Sequence, residues 1–486
     1  MLGEDSATAA VIESNVPARL DALPWTRWHW IVVTALGITW LLDGLETTMG
    51  GAFVGVLKEP AALGLSDAEI GLTATGYMAG AVLGALVFGY LTDRLGRRKL
   101  FFLTLSLYLV ATAATAFSWN FWSFTLFRAF TGAGIGGEYA AINSAVDELI
   151  PARVRGRVDL IINSTFWIGA GLGSLGSIVL LHWHAIAPTT SWRFGFGIGA
   201  VLGIGVLMMR RYVPESPRWL LTHGRKGEAE RVVDEIEQHA VHRHWPEPRE
   251  TIRLHVRHST PWREIFDTIF RKYRERSIIG FTLMIAQEFF YNAVMFTYGL
   301  VLLRYYKVPA ASIGYYLLPL ALGNFLGPLL IGHLFDTVGR RRMIFLTYSI
   351  SGALLAITSW LFLRDLITVH EQALAWSVIF FVASAAASSA YLTVSEVFPL
   401  EIRALAISIF YASGTLIGGV GAPALFGYLI GTGSRELLFW GYVAAAALMI
   451  LAGIEELIHG VAAERKSLES ITAPLSAVDA VQLRAE

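Results

Sequence analysis

Long apolar stretches alternate with short polar loops along almost the whole chain. A helix needs about 20 consecutive apolar residues to cross a bilayer, and twelve stretches of this sequence are long enough. Because backbone polar groups must be paired within the segment in lipid, we predict an all-α integral membrane protein. The predicted spans are residues 29–54, 70–91, 99–118, 122–148, 158–182, 194–212, 277–303, 312–334, 343–363, 373–398, 405–430 and 436–458.

One long polar segment, residues 213–276, separates the first six spans from the last six. Its charges have helical spacing over residues 228–239, and apolar residues between 262 and 270 recur at i, i+3 and i+4, which favours a helix lying against the bundle or lipid. Five segments follow from this pattern. They are a cytosolic N-terminal tail (1–28), an N-terminal six-helix half (29–212), a cytosolic linker with short amphipathic helices (213–276), a C-terminal six-helix half (277–458) and a cytosolic tail (459–486). The tail is polar after Ala463, and we expect it to be mobile.

Composition agrees with a lipid environment. Hydrophobic residues make up 55% of the 486 positions and charged residues only 16%, whereas soluble domains carry about 25% charged residues. The formal net charge is +0, so charge gives no reason to expect a nucleic-acid partner. The chain has no cysteine, which excludes disulfides and thiol chemistry. Acidic residues precede the first apolar stretch, so the N-terminus does not have the pattern of a cleavable signal peptide.

Cationic residues concentrate in alternate loops. Residues 94–99, 153–157, 340–342 and 403 supply most of the arginines of the short loops, and all lie in loops of the same parity. The opposite loops carry only scattered cations. Since cytoplasmic loops are enriched in Lys and Arg, we predict a multi-pass plasma-membrane protein, in the inner membrane if bacterial, with both termini cytoplasmic.

A loop motif occurs twice. Gly89, Asp93, Gly96 and the basic run 97–99 recur, at the same spacing, as Gly332, Asp336, Gly339 and the basic run 340–342. Each copy reads Gly-x-x-x-Asp-x-x-Gly-Arg-Arg-(Lys/Arg) and lies between two apolar stretches. The motif resembles the signature loop of the major facilitator superfamily of membrane transporters. The resemblance implies twelve transmembrane helices in two pseudo-symmetric six-helix halves, which is the major facilitator fold.

A second repeated motif narrows the resemblance from the superfamily to one of its branches. The pattern Glu-x-x-Pro-x-x-x-Arg ends the fourth span at 148–155 and the tenth span at 396–403, and Pro-Glu-Ser-Pro-Arg follows the sixth span at 214–218. Together these motifs are similar to those of the sugar porters and related metabolite:proton symporters. The resemblance implies a monomeric carrier of a small-molecule substrate, working with protons and the lipid bilayer, without cofactor or metal.

The resemblance also implies a cytosolic gate that closes and opens between the halves. Asp93 would dock on the N-terminal end of the eleventh span, where a helix favours an anion. One set of charges would tie neighbouring helices of the first half together, and the equivalent set would tie those of the second half. The alternative is that these charges only fix topology, which leaves the acids unexplained. The gate residues are Asp93, Arg97, Glu148, Arg155, Glu215 and Arg218 in the first half, and Asp336, Arg340, Glu396 and Arg403 in the second.

Ionisable residues inside the membrane are costly and therefore functional candidates. Asp43 and Glu46 lie at i, i+3 on one face of the first span, and Arg128 and Glu138 lie in the fourth. Adjacent buried carboxylates resist double ionisation, so they suit proton coupling. We predict that these four residues couple protons and that Arg128 pairs with Asp43, as the resemblance to proton-coupled sugar porters implies. The alternative is a permanent Asp43–Arg128 pair in a facilitator or exchanger.

The predicted substrate residues depart from the sugar-porter pattern. Gln287 and Glu288 replace the paired glutamines of the seventh span, Asn163 stands where the fifth span would carry Gln, and Tyr391 replaces a Trp. Aromatic residues suit a planar or amphipathic solute. Arg128 could hold a substrate carboxylate, which favours a small organic acid, with aromatic acids included. The substrate-binding candidates are Asn163, Trp167, Gln287, Glu288, Tyr291, Asn292, Tyr298 and Tyr391.

We therefore predict a secondary active transporter that works by alternating access, with proton-coupled symport of an organic acid as the leading hypothesis. The alternatives are a sugar or organic-cation transporter, a facilitator, a proton antiporter working in efflux, and a transporter-like nutrient sensor. An enzyme is disfavoured because the spans contain no nucleophile with an adjacent base and no His/Asp metal cluster.

Overall fold

A computed structural model describes residues 11–183, 185–240, 250–257, 259–295, 297–309 and 312–478. The predicted N-terminal tail, linker and C-terminal tail therefore lie partly outside the described residues. Within these described residues, twelve main helices occupy the predicted spans. They are α1 Arg27–Ala52, α2 Asp67–Leu95, α3 Arg97–Ala116, α4 Phe121–Leu149, α5 Arg155–His182, α6 Pro188–Met209, α7 Arg274–Val294, α8 Ile313–Thr337, α9 Arg340–Leu363, α10 Val369–Val397, α11 Arg403–Gly414 and α12 Arg435–His459.

Short elements extend three of these helices. A 3₁₀ turn, Arg210–Tyr212, follows α6, and the helix Tyr298–Tyr305 follows α7 after a break. A 3₁₀ turn, Leu400–Ile402, precedes α11, which continues as the π-helix Thr415–Gly421 and the helix Ala422–Gly431. Eleven helices in the described part of the chain are long and apolar enough to cross a membrane. The twelfth long helix is α4, whose apolar run is interrupted by Arg128, Glu138 and two further acids.

Within each half, helices pack closely where small residues face each other. The main pairs are α1 with α5 and α2 with α4 in the first half, and α8 with α10 and α9 with α12 in the second. A Cβ atom on Gly80 would collide with the backbone oxygen of Ala129, and one on Gly136 with that of Ala81. Membrane helices associate through such small-residue contacts, so the glycines of α2 and α4 act as a packing surface.

The halves meet along two related helix pairs. Helix α2 of the first half packs on α11 of the second, and α5 of the first half packs on α8 of the second. Each signature loop makes the turn into the next helix through a glycine with a positive φ, Gly96 at 97° and Gly339 at 113°. Residues with side chains rarely adopt such a φ. The duplicated motif therefore produces the same turn at equivalent places in both halves, at the end of the bundle we call the linker face.

The linker and both tails pack on this linker face. The segment after α6 contains the helices Pro217–Thr222, Lys226–Gln238 and Trp262–Asp267, and the π-helix Thr268–Lys272. Short helices Val16–Ala22 and Leu468–Ile471 belong to the tails, and Val54–Leu57 follows α1.

A two-stranded sheet, which the sequence analysis did not predict, joins the tails to the linker. Strand β1, Val11–Ser14, pairs antiparallel with β2, Ile252–His255, and Ala477 bridges to Leu254. The expectation of a mobile tail after Ala463 was wrong as far as residue 478. There the tail packs with Leu468 and Ser476 buried, because its polar groups bond to both halves and to the linker.

Candidate functional site

A central cavity of about 180 Å³ lies between the two halves. Both halves contribute polar and aromatic side chains to its wall. Of the eight substrate-binding candidates, all except Tyr298 line it. The first half supplies Trp40, Asp43, Thr47, Tyr77, Met78, Tyr139, Asn163, Phe166 and Trp167, and the second half supplies Gln287, Glu288, Tyr291, Asn292, Ser384, Ala387, Ser388, Tyr391, Tyr411, Thr415 and Gly419.

The placement predicted for Tyr298 was wrong. Helix α7 ends at Val294 and Tyr298 begins a new helix, so the helical phase of α7 does not carry across the break. The Tyr298 ring is fully buried and lies against Trp376, with ring centroids 4.4 Å apart. Tyr298 therefore contributes to packing within the second half.

Asp43 is the carboxylate of the first half that lines the cavity. It is 3% exposed and accepts hydrogen bonds from the hydroxyl groups of Tyr139, Tyr77 (3.4 Å) and Thr47 (3.2 Å). Its partners among the described residues are these hydroxyls, and no ion pair there involves it. The predicted Asp43–Arg128 pair is thus absent.

Arg128 pairs with Glu46 instead. Its guanidinium donates to Glu46, whose other oxygen accepts from the Thr112 hydroxyl at 2.8 Å. Arg128 also lies over the Tyr77 ring, 4.5 Å from the centroid. The i, i+3 spacing places both acids on one face of α1, but Glu46 lies nearly one turn further from the linker face, at the level of Arg128. The sequence could not show which acid faces the arginine.

Glu138 has a partner that the sequence analysis missed. Arg210 donates to Glu138 at 3.0 Å and to the Thr39 hydroxyl at 2.5 Å, and it lies over the Phe101 ring. The side chains of Arg210 and Glu138 are both buried. Arg210 stands at the end of an apolar stretch, where an arginine looks like a topology-fixing residue, so only its proximity to α4 reveals its role.

The second half presents a different wall. Glu288 accepts hydrogen bonds from Gln287 (3.1 Å) and Asn292 (3.2 Å), and among the residues the structure covers it forms no ion pair. Tyr291 donates to Asn324 at 2.6 Å and stacks on Trp167 across the halves, with centroids 5.9 Å apart. Sequence reasoning did not select Asn324. Its signal was available, because it is a single amide residue within the apolar helix α8.

Four aromatic rings form what we call the aromatic floor, on the linker side of the cavity. Trp40 stacks on Tyr139 at 4.4 Å between centroids, and both contact second-half rings edge-on. Those second-half rings are Tyr391 and Tyr411, 6.0 Å from Trp40 and 5.1 Å from Tyr139, respectively. Because Trp40 lies between Asp43 and the linker-face end of α1, the floor lies between the cavity and the linker face.

Beyond the floor, each signature-loop aspartate caps a helix of the other half. Asp93 accepts from the backbone N–H groups of Ala404 (3.2 Å) and Leu405 (2.9 Å), at the start of α11. The docking predicted for Asp93 is present. Asp336 accepts from Gly156 (3.1 Å) and Arg157 (2.8 Å), at the start of α5. Both contacts combine backbone donors with a helix dipole.

Arginines of the repeated motifs complete this closure. Arg97 binds Glu148 at 2.7 Å and Asp93 at 3.2 Å, and Arg340 binds Glu396 and Asp336, each at 2.9 Å. We call these residues, together with Arg155 and Arg403, the gate cluster.

Two pairs of the gate cluster cross between the halves. Arg403 reaches Glu148 at 3.4 Å, and Arg155 reaches Glu396 at 3.6 Å. The prediction that Arg155 and Arg403 tie helices within their own halves was therefore incomplete. Duplication shows that equivalent residues exist, whereas the contact between copies depends on how the halves dock.

Glu215 and Arg218 anchor the linker to the gate. Glu215 accepts from the backbone N–H of Arg97 at 2.8 Å and caps the start of α3. Burial raises the pKa of Glu215 above its ordinary value, although the Arg97 charge and these backbone donors act in the opposite direction. Arg218 binds Asp21 of the N-terminal segment at 2.9 Å and Glu469 of the C-terminal segment at 2.8 Å. Arg218 also donates to the backbone oxygen of Glu148 at 2.6 Å, so both tails are tied to the gate cluster through one arginine.

This geometry agrees with comparisons to known proteins. The model of the family described as "Sugar (and other) transporter" matches residues 36–473. The chain belongs to the sugar (and other) transporter family. Solved structures confirm the major facilitator fold. The proton:xylose symporter XylE superimposes with a TM-score of 0.72 at 20% identity, covering 92% of this chain and 99% of XylE, and the human organic anion transporter MFSD10 with 0.63 at 15%, covering 89% and 100%.

Curated relatives align over shorter regions. The niacin transporter NiaP of Acinetobacter baylyi is 35% identical over 226 residues, which is 46% of this chain and 50% of NiaP. The D-xylose transporter of Levilactobacillus brevis is 29% identical over 252 residues, or 51% of this chain and 52% of that protein. The matches thus span about half the length of these relatives. These relatives are transporters and not enzymes.

Proposed function

We propose that this protein is a secondary transporter that couples the movement of a small planar metabolite to protons by alternating access. The observation that carries the proposal is Asp43, a buried carboxylate on the wall of the central cavity whose described partners are hydroxyl groups only. A carboxylate without a counter-ion in a poorly hydrated place can accept a proton at low cost. Asp43 is therefore the proposed proton carrier.

Neighbouring charges support this role. Glu46 and Glu138 each have an arginine partner, Arg128 and Arg210, so their charges are balanced. Among the first-half acids, Asp43 alone lines the central cavity, where a bound solute would lie beside it. Two relatives are named as proton symporters, the xylose symporter XylE and an arabinose-proton symporter of Bacillus subtilis.

The closed linker face supports alternating access. The gate cluster and aromatic floor separate the cavity from the linker face, and the contacts of Asp93 and Asp336 must break for the cavity to reach that side. Such contacts can exchange within a few kcal/mol, as a carrier requires. We propose that the linker face is cytoplasmic, with both termini inside, and that the protein acts as a monomer in the plasma membrane.

The cavity favours a neutral or cationic planar solute. Its lining includes two carboxylates, Asp43 and Glu288, and no Lys or Arg among the described residues. The hypothesis that Arg128 holds a substrate carboxylate loses its basis, because Arg128 is bound to Glu46. The rings of Trp167 and Tyr291 offer stacking surfaces, and the amides Asn163, Gln287 and Asn292 offer hydrogen bonds.

An aromatic acid is the second candidate, because the niacin transporter of Acinetobacter baylyi is 35% identical over nearly half of this chain. A free carboxylate would enter such a cavity only with Asp43 and Glu288 both protonated. We therefore expect acid binding to require low pH, and binding of a neutral or cationic ring to be less dependent on it.

A panel of matched probes tests the substrate class. Nicotinic acid, nicotinamide and 1-methylnicotinamide share one ring and differ in charge, and xylose lacks the ring. Ligand binding raises the melting temperature by mass action. We expect the neutral or cationic ring to raise the melting temperature of purified protein at pH 7.5, and nicotinic acid to do so only at pH 5.5. A response to xylose alone would overturn the planar-solute proposal.

Transport with the best probe then tests coupling. In proteoliposomes, Asp43→Asn should keep exchange of labelled solute and lose accumulation driven by an imposed pH gradient, because Asn cannot carry the proton. Asp267→Asn, at an exposed ion pair of the linker, serves as the matched control. Full gradient-driven accumulation by Asp43→Asn would remove Asp43 from the mechanism.

A further inference from the structure

Two buried acids, Asp147 on α4 and Asp159 on α5, take no part in the site described so far. Both are 0% exposed. Asp147 lies about two helical turns beyond Tyr139 toward the linker face, and Asp159 lies about one turn beyond Asn163 in the same direction. They are therefore located between the aromatic floor and the gate cluster.

Neither acid has the partners that buried carboxylates normally have. Both oxygens of Asp147 and Oδ1 of Asp159 lack a hydrogen-bond partner among the described residues. Asp159 Oδ2 accepts from Asn163 at 3.1 Å. The Ser395 hydroxyl, which faces Asp147, donates to the backbone of Leu392 at 2.9 Å. Buried polar atoms in native proteins are normally hydrogen-bonded, so these three carboxylate oxygens need a donor.

The charged side chains around the two acids do not supply this hydrogen-bond donor. Asp147 is faced by Glu396, Arg155 and Arg403, and Asp159 by Asp147, Glu396 and Arg340. Each of the four arginines of the gate cluster forms an ion pair with at least one of its four acids, although Nε of Arg97, Arg155 and Arg403 lacks a hydrogen-bond partner among the described residues. Those acids are Asp93, Glu148, Asp336 and Glu396, bound to Arg97, Arg155, Arg340 and Arg403. Within the part of the chain that the structure covers, neither Asp147 nor Asp159 forms an ion pair or a hydrogen bond with these arginines.

We propose that Asp147 and Asp159 form a second proton-binding site, separate from Asp43, and hold one proton between them while the gate is closed. Two neighbouring carboxylates in a low-dielectric interior do not both ionise, and sharing a proton supplies the missing donor. The described residues contain no group of three or more His, Asp or Glu arranged to hold a metal. The role in transport rests on the proposed proton-coupled function, but the site itself does not.

Asn163 connects this acid pair to the cavity. Its amide nitrogen donates to Asp159, while its side chain also lines the cavity wall, and its Oδ1 has no partner among the described residues. A proton that leaves Asp43 therefore has a polar side chain between the cavity and the acid pair. We infer that the pair receives the proton on the linker side of the floor and releases it when the gate opens.

The inference predicts a pH-dependent gate. Opening would hydrate both carboxylates and release the proton, so closing takes up one proton and low pH favours the closed gate. For one proton the ratio of open to closed molecules changes up to tenfold per pH unit.

The native chain has no cysteine, so spin labels can be placed cleanly at Lys99→Cys and Arg342→Cys. Both positions are exposed on the linker face, one in each half. The distance distribution between the labels, measured without substrate from pH 5 to 9, reports the open fraction.

We expect the labelled protein to open as pH rises, and Asp147→Asn or Asp159→Asn to flatten this dependence. Combination with Asp43→Asn separates the two sites. The change of the open fraction with pH should remain in Asp43→Asn and disappear when Asp159→Asn is added. A slope already lost in Asp43→Asn, or unchanged in both pair variants, would overturn the inference. Dependence on Na⁺ rather than pH would also overturn it, because the pair would then hold a metal cation.

Infrared spectroscopy provides a second measurement that does not require both variants to fold. The wild-type protein at neutral pH should show the carbonyl stretch of a protonated carboxylic acid, and this band should disappear in whichever single variant folds. An unchanged band in that variant would assign the proton to another group. Failure of Asp43→Asn to lose gradient-driven transport would instead refute the proposed coupling and leave this result intact.

Discussion

The two halves of the protein match at the linker face and differ inside the membrane. At the linker face Asp93 and Asp336 cap helices of opposite halves, and Arg97 and Arg340 bind equivalent glutamates. Inside the membrane the first half holds two buried ion pairs and Asp43, while the second presents amides around Glu288.

The matching linker-face contacts and the unlike cavity walls suit two different tasks. Closing a path between two halves needs complementary contacts from both, so the duplicated motifs retain the same geometry. Coupling a solute to a proton needs one titratable group beside the solute, and a single copy is enough. We therefore expect gate substitutions to have similar effects in either half, and substitutions in the cavity wall to have effects that differ between halves.

The largest effect should come from Glu138→Gln. The change leaves Arg210 as a buried, unpaired charge, which typically costs about 3–5 kcal/mol. Glu288→Gln is the matched change in the second half and removes a carboxylate without an ion-pair partner among the described residues, so it should leave stability unchanged or raised. Melting temperatures of the two purified variants make the comparison. Equal losses would show that the halves do not differ in this way.

Gate variants should have a smaller and symmetric effect. Asp93→Asn and Asp336→Asn each weaken two hydrogen bonds of a charged acceptor, worth about 1.5–3 kcal/mol apiece when lost completely. Both variants should increase the open fraction reported by spin labels at positions 99 and 342, to a similar extent, while leaving the protein folded. An effect confined to one variant would contradict the symmetry of the gate.

Tail contacts should matter less. Glu401 accepts from the backbone of Leu475 and Ser476 and from the Ser476 hydroxyl, which is part of the attachment of the C-terminal segment. Glu401→Ala should loosen that attachment and lower the free energy of unfolding by about 1 kcal/mol. Hydrogen exchange at residues 468–478 provides the measurement, and unchanged protection there would show that other contacts suffice.

The smallest effect is expected for Arg271→Ala. Arg271 is 83% exposed and pairs with Asp267 at the surface of the linker, where ion pairs contribute little. The melting temperature and the open fraction should both match the wild type. A clear change in the open fraction would extend the gate to this part of the linker.

Sequence reasoning recovered which residues line the cavity better than it recovered their partners. Asp43, Glu288 and the neighbouring amides could be selected because a polar residue in an apolar span is unusual. The partner of Arg128 could not, because Asp43 and Glu46 share a face and the register of α4 against α1 decides between them. Asp147 and Asp159 escaped notice because acids near the end of a span resemble ordinary loop charges.

The sequence by itself determined the twelve spans, the duplication and the charged residues that meet at the linker face, because hydrophobic length and repeated motifs are local properties of the chain. Only the tertiary structure decided which charges balance each other, that Arg155 and Arg403 cross between halves, and that both tails pack on the gate. Those contacts join residues far apart in sequence, and they depend on helix docking that no local pattern specifies.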